Sequence, residues 1–202
     1  MMPSKKNPKI RRSPGKRRHQ KLFLIATEGE KTEPQYFDIF NDQQSVINVR
    51  CLKGCGGSPQ KVLERMKDHL EEEELEGSDE AWLVIDKDNW LPEQLAPLHT
   101  WTQERHKRHK RGLALSNPKF EYWLLLHFED GKASSQDCSD RLKKHIPGYD
   151  KKIDPSDFTR YRIDDAIRRA KQRDNPPCAD WPRTAHVTTV YRLVESILQV
   201  KN

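Results

Sequence analysis

No apolar run in this 202-residue chain approaches the roughly 20 residues that a membrane-spanning helix requires. No signal-peptide-like hydrophobic segment follows the basic start either, so the expectation is a cytoplasmic protein with no membrane partner. Cysteine is sparse, at Cys51, Cys55, Cys138 and Cys178. The close pair Cys51/Cys55 lacks a second pair to complete a zinc site, and scattered thiols give no disulfide framework, so reduced cysteines without a special role are expected. Acid is missing from residues 1–21, which hold nine Lys/Arg; because the whole chain carries +6, the remainder sums to −3. Residues 1–20, almost without apolar side chains, read as a disordered basic tail. Such a tail either contacts phosphates by counterion release or acts as a solubilising arm. Residues 54–58 contain three glycines but not the full GxxxxGK[ST] pattern, which argues against a Walker-type nucleotide site. No Ser/His/Asp or Cys/His arrangement and no internal repeat is visible.

What the chain does have is charge (34%) and apolar residues (34%) in equal share, the latter bunched into short runs. That pattern favours a compact core under long charged surface helices. Residues 21–27 (KLFLIAT) read as a strand buried on both faces. Pro34 then suits the first turn of a helix whose apolar face is Tyr36, Phe37, Ile39 and Phe40. Residues 45–52 alternate as a second strand. Ser58 as N-cap and Pro59 at the first helical position open a helix to about residue 75. Residues 79–86 form a third strand, 92–108 an increasingly basic helix, 112–116 a fourth strand, and 121–128 (EYWLLLHF) the most apolar helix. The fourfold alternation points to an α/β fold with a mainly parallel sheet of about four strands flanked by helices. After residue 131 only charged helical segments follow, closing in an amphipathic helix over 184–200. The expected organisation is therefore a tail (1–20), an α/β core (21–131) and a helical C-terminal region packed on it (132–202). Oligomeric state stays open.

Acids stand at the ends of two of these strands. Strand one runs into Glu28-Gly29-Glu30, and strand three into Asp86-Lys87-Asp88-Asn89. Carboxyl ends of parallel strands are where ligands collect in open α/β sheets, and several acidic oxygens side by side suit a hard cation such as Mg²⁺. Glycine after Glu28 lets the backbone turn sharply. Asp86 and Asp88, two apart, lie on one side of an extended chain; Lys87 adds a phosphate partner. The bland readings are a charged loop capping the next helix for Glu28–Glu33 and an exposed turn for the DxD. Strand four ends at Ser116-Asn117-Pro118-Lys119-Phe120-Glu121 on the same rim. Ser116 or Asn117 can cap the helix there, Glu121 can complement its dipole or supply a further carboxylate, and Asn117 can hold a phosphate or water. His106-Lys107-Arg108-His109-Lys110-Arg111, with Trp101 near, suits either a solvated face or a nucleic-acid backbone.

Together, EGEKTEP after the first strand, DKDN after the third, SNPKFEYWLLLHF and the closing TAHVTTVYRLVESI resemble the RloB-like family, from about Lys21 onward. That family is encoded with restriction–modification and abortive-infection genes and is regarded as a divergent branch of the Toprim superfamily. The resemblance implies a Toprim-like (Rossmann-like) core whose glutamate falls on Glu28 and whose DxD falls on Asp86 and Asp88, binding Mg²⁺ (or Mn²⁺) for phosphodiester chemistry. Many Toprim proteins carry a third Asp in DxDxD, where this chain has Trp90.

The expectation is a Mg²⁺-dependent nuclease of antiviral defence acting on DNA or RNA, with an ATPase of a defence operon as a candidate partner. Glu28, Asp86 and Asp88 are the expected catalytic metal ligands, with Glu121 as a further one. Lys31 or Lys87 is expected to stabilise transition-state charge. Lys87, Asn117, Lys107, Arg108, Lys110 and Arg111 are the expected nucleic-acid contacts. The competing expectation is a non-enzymatic sensor or adaptor that keeps the metal site and acts through a partner ATPase or toxin.

Overall fold

The computed structural model describes residues 20–41, 46–54, 57–104, 109–134 and 137–201. Residues 1–19 of the basic tail, Cys55, Lys107 and Arg108 therefore lie outside the described residues. The elements run β1 (Lys21–Thr27), α1 (Thr32–Asp38), β2 (Ile47–Cys51), α2 (Pro59–Glu72), β3 (Glu80–Asp86), α3 (Pro92–Gln103) and β4 (Lys110–Asn117). They continue with α4 (Phe120–Leu125), α5 (Cys138–Leu142), a 3-10 turn (Pro155–Asp157), α6 (Arg160–Arg173), β5 (Val187–Thr188) and α7 (Val190–Lys201). The sheet order is β2-β1-β3-β4-β5. The first four strands are parallel, and β5 pairs antiparallel with β4. The fold is α/β and Rossmann-like.

The alternating side chains of each strand divide the core. Phe23, Ile25, Trp82, Val84 and Ala114 face one layer, with Tyr36 and Phe37 of α1, the apolar α4, and α6 and α7. Leu22, Leu24, Ala81, Leu83, Ile85, Leu113 and Leu115 face the other, with Val62 and Met66 of α2 and Leu95, Leu98 and Trp101 of α3. Since α1 leaves β1 for one face and α3 leaves β3 for the other, the neighbouring strands β1 and β3 flank the point where the winding reverses. There the two covering helices diverge and leave a crevice at the strands' carboxyl ends.

Local signals explain several element ends. The Ser58 side chain accepts from the Lys61 backbone, capping α2 with Pro59 at its first position, as expected. Gly112 lies opposite Trp82, and any Cβ there would come within 2.4 Å of the indole, so a glycine inside β4 is what admits the large ring.

Two expectations are corrected. The sheet has a fifth strand, and it comes from the C-terminal region expected to hold helices alone. Residues 184–189 do not join the last helix: His186 and Thr189 donate backbone bonds to the carbonyls of Asn117 and Leu115 at 2.7 and 2.9 Å, and the Thr189 hydroxyl accepts from Leu115 N at 2.9 Å. Satisfying the open edge of β4 outweighs the helical spacing of Val187 and Val190, in a run whose β-branched residues are weak helix formers. Neither Ser116 nor Asn117 caps α4. The Ser116 hydroxyl pairs with that of Thr188 at 2.8 Å, and α4 begins only at Phe120.

Candidate active site

The site is built on the ends of β1, β3 and β4. Beyond Thr27, Glu28 N still donates to Val84 O at 3.0 Å, which holds Glu28 against β3. Its carboxylate spans the gap, Oε2 accepting from Asp86 N at 3.2 Å and Oε1 from the Trp90 indole at 3.0 Å. Trp90 thus orients Glu28. Asp86 Oδ1 accepts from Phe120 N at 2.8 Å, so the strand-end aspartate caps α4 across the sheet. Lys87 N and Asp88 N donate to the Ser116 and Pro118 carbonyls at 2.7 and 2.8 Å. This stitching turns the DxD segment, with Asp88 at φ 33°, a left-handed conformation that aspartate tolerates better than most residues.

Glu33, in the first turn of α1, folds back over Gly29. A Cβ at Gly29 would lie 2.1 Å from Glu33 Oε2, so the glycine makes room for a second glutamate. Glu121, in the first turn of α4, accepts from the Tyr149 hydroxyl at 3.4 Å. Glu28, Glu33, Asp86, Asp88 and Glu121 thereby line one cleft of about 520 Å³, with Lys31, Lys119 and Lys151 at its sides.

Electrostatics follow from this crowding. Burial lifts Glu28 to a pKa of about 7; its bonds from Trp90 and Asp86 N oppose the rise, while the charges of Asp88 and Glu33 add to it. Burial likewise pushes Asp86 well above the usual carboxylate range, reinforced by Glu33, Glu121, Glu28 and Asp88. Glu33 is raised by burial and by Glu121. Lys119 offers limited relief, since its ammonium pairs with Asp137 at 2.9 Å.

Of the residues singled out in the sequence, Glu28, Lys31, Asp86, Asp88 and Glu121 come together. The others do not join them. The Lys87 ammonium donates to the Trp90 carbonyl. The Asn117 amide donates to the Pro182 and Arg183 carbonyls at 3.3 and 3.4 Å, anchoring the chain that leads into β5. Lys110 and Arg111 begin β4, at the opposite end of the strand from the cleft, about 20 Å away at the usual rise per residue. Lys110 pairs with Glu80 at 3.4 Å; Arg111 lies 4.7 Å from the Trp101 ring centroid and pairs with Glu104 at 2.8 Å. The cysteines Cys51, Cys138 and Cys178 are free, and burial pushes the Cys51 and Cys138 thiols up to about 12, which leaves them unreactive.

Sequence reasoning missed Glu33 as a member of the cleft, reading it only as a helix-dipole complement. The signal available was its position: five residues after Glu28, in the first turn of the helix that leaves the same strand. The donor set fits a hard divalent cation in kind, because it is all oxygen, anionic and only partly neutralised. Glu28, Asp86 and Asp88 would hold it, with Glu33 and Glu121 in reach of the same cleft. Among the described residues, however, no group of three or more His, Cys, Asp or Glu side chains stands in ready ion-binding geometry. No helix among the described residues is long and apolar enough to cross a membrane.

No curated protein and no solved structure matches the chain. A family model described as RloB-like protein matches residues 23–197, a span that runs from β1 to α7 and takes in every carboxylate of the cleft. On that match the chain belongs to the RloB-like protein family.

Proposed function

We propose that this protein is a Mg²⁺-dependent nuclease that hydrolyses phosphodiester bonds in DNA or RNA. The observation that carries the reading is the convergence of six carboxylates, from the ends of β1 and β3 and the helices that follow β1 and β4, on one cleft, where burial and mutual repulsion raise the proton affinity of Glu28, Glu33 and Asp86. Such a cluster is relieved by a cation. When bound, Mg²⁺ or Mn²⁺ supplies Lewis acidity toward the phosphate and a water of lowered pKa. The chain's own residues then divide the work. Asp86 and Asp88 would hold the ion; Glu28 would either complete its shell or, left uncoordinated with its proton affinity near neutrality, act as general base toward water. Lys31, at the side of the cleft, meets charge developing on the phosphoryl oxygens. Lys87, the other lysine expected in that role, donates to the Trp90 carbonyl. A defence setting and an ATPase partner rest on the family resemblance.

The test is incubation with DNA, total RNA and tRNA in Mg²⁺ or Mn²⁺, wild type beside Glu28→Gln and Asp86→Asn. Each variant is expected to lose at least about 100-fold in cleavage rate; cleavage equal to wild type sinks the proposal. The second reading is a sensor or adaptor that retains the ion and acts through a partner ATPase or toxin. It predicts a Mg²⁺-dependent thermal shift, lost in Asp86→Asn, with no cleavage by the wild type.

A further inference from the structure

The basic segment that the sequence offered for nucleic acid is partly outside the described residues, and its described end lies far from the cleft. The rim itself offers another route. The carboxylate cleft shares Gly29 and Glu30 with a neighbouring cleft of about 640 Å³ between the ends of β1 and β2. That cleft in turn shares Arg50, Cys51, Leu52 and Lys53 with a third, of about 700 Å³, along α2. The three form one continuous groove crossing the carboxyl ends of β3, β1 and β2 in that order.

We propose that this groove carries the nucleic-acid strand flanking the scissile phosphate, with Lys53 and Lys61 as its phosphate contacts; the inference rests on the nuclease reading above. Lys53 and Lys61 are exposed and have no ion-pair partner among the described residues. Arg65 buttresses the groove from beneath. Its guanidinium reaches Thr27 O at 2.5 Å and lies so close under Gly54 that a Cβ there would sit 1.8 Å from Nη1. Arg50 is held by Glu73 at 2.7 Å.

Charge along α2 is graded. Lys61 and Arg65 stand at its rim end with Glu64 between them, whereas at the far end Asp68, Glu71 and Glu72 outnumber Lys67; of these acids Glu64, Asp68 and Glu72 also line the third cleft. A polyanion is therefore drawn to the rim and repelled from the base of the helix. Two strand spacings separate β3 from β2, about 10 Å, room for a couple of nucleotides between the reacting phosphate and Lys53. No Phe, Tyr or Trp lines the second or third cleft. Recognition there is by backbone charge rather than base stacking, hence insensitive to base sequence.

The test is fluorescence anisotropy of labelled single strands and duplexes of DNA and RNA, with Ca²⁺ in place of Mg²⁺, across a salt series. The double variant Lys53→Glu/Lys61→Glu is expected to bind at least about ten-fold more weakly and to lower the log–log salt slope by about two. Lys67→Glu, also exposed on α2 but outside both clefts, should bind as wild type. Thermal melts of all three confirm that the exposed substitutions leave the fold intact. Double-variant affinity equal to wild type, or an equal loss in Lys67→Glu, overturns the groove, as does a wild type that binds none of the strands. Loss of binding in the double variant, from a wild type that never cleaves, keeps the groove and defeats the nuclease reading instead.

Discussion

Two residues that are not acids control the geometry of the acids. Trp90 donates to Glu28 at 3.0 Å, and that bond is the largest influence opposing the rise in Glu28 proton affinity caused by burial. Trp90→Phe keeps most of the ring and removes the donor. Glu28 should then titrate higher, so that the pH–rate profile moves to the alkaline side and half-saturation by Mg²⁺ needs more metal, at a stability cost of about 1 kcal/mol. An unmoved profile and unmoved half-saturation would show that the bond does not position Glu28. Gly29 works by absence. In Gly29→Ala the new methyl occupies the space of the Glu33 carboxylate, which sits at the end of a flexible side chain and can swing away. The expected outcome is a protein that folds normally but binds Mn²⁺ more weakly, as measured by calorimetry. Of the cleft residues, Glu28 and Asp86 were legible because each directly ends an apolar run, and Asp88 because it stands two residues beyond Asp86. Glu33 was not, because its membership depends on where α1 turns back over Gly29.

At the scale of elements, β4 is the organiser. It accepts Trp82 of β3 against Gly112, takes β5 along its free edge, and delivers the loop whose Pro118 carbonyl and Phe120 amide grip Asp88 and Asp86. Substituting Gly112→Val forces a side chain into the Trp82 ring and should cost about 1–3 kcal/mol, read as a lowered denaturant midpoint. Thr188→Val leaves the buried Ser116 hydroxyl without its partner at 2.8 Å and should cost about 1–2 kcal/mol. The extent of β5 could not be read locally. Val187 and Val190 have helical spacing, and only the unfilled strand edge beside Val187 and Thr188 makes the extended conformation cheaper there.

For the whole molecule, two groups of carboxylates pull stability in opposite directions with pH. Glu80 is buried where β1, β3 and α7 meet. Burial alone would raise it, but bonds from Lys21 at 2.7 Å, the Ser196 hydroxyl at 2.7 Å and the Trp82 indole at 2.8 Å outweigh that and hold it below its usual value. Asp174 is likewise depressed, burial being overcome by bonds from Cys178, Tyr191 and Arg192. Groups of this kind stabilise above their unfolded pKa, and the benefit disappears as pH falls through the folded value. Glu28, Glu33 and Asp86 have folded values above their unfolded ones, so their favourable contribution holds in acid and is lost as pH rises, for Glu28 between 4.5 and about 7. Metal-free protein should therefore be most stable between about pH 4 and pH 5, where the depressed carboxylates are still largely ionised and Glu28 has lost little of its contribution. Mg²⁺ should raise the melting temperature more on the alkaline side of that range than on the acid side, measured by calorimetry with and without chelator. A Mg²⁺ effect independent of pH, or none, would argue that no ion enters the cleft.

The sequence by itself determined the alternation of strands and helices, the parallel sheet, the Ser58 and Pro59 start of α2 and the family, because hydrophobic periodicity, caps and motifs are local. It also marked Glu28, Asp86 and Asp88, since an acid ending a buried strand must emerge at the sheet rim. Tertiary structure alone decided that β1 and β3 are neighbours flanking the winding reversal, that Glu33 joins the cleft while Asn117, Lys110 and Arg111 do not, and that Val187–Thr188 completes the sheet. Those outcomes depend on strand order, on which end of a strand a residue occupies and on which edge is left open. Such relations exist between segments distant in the chain and leave no trace in any one of them.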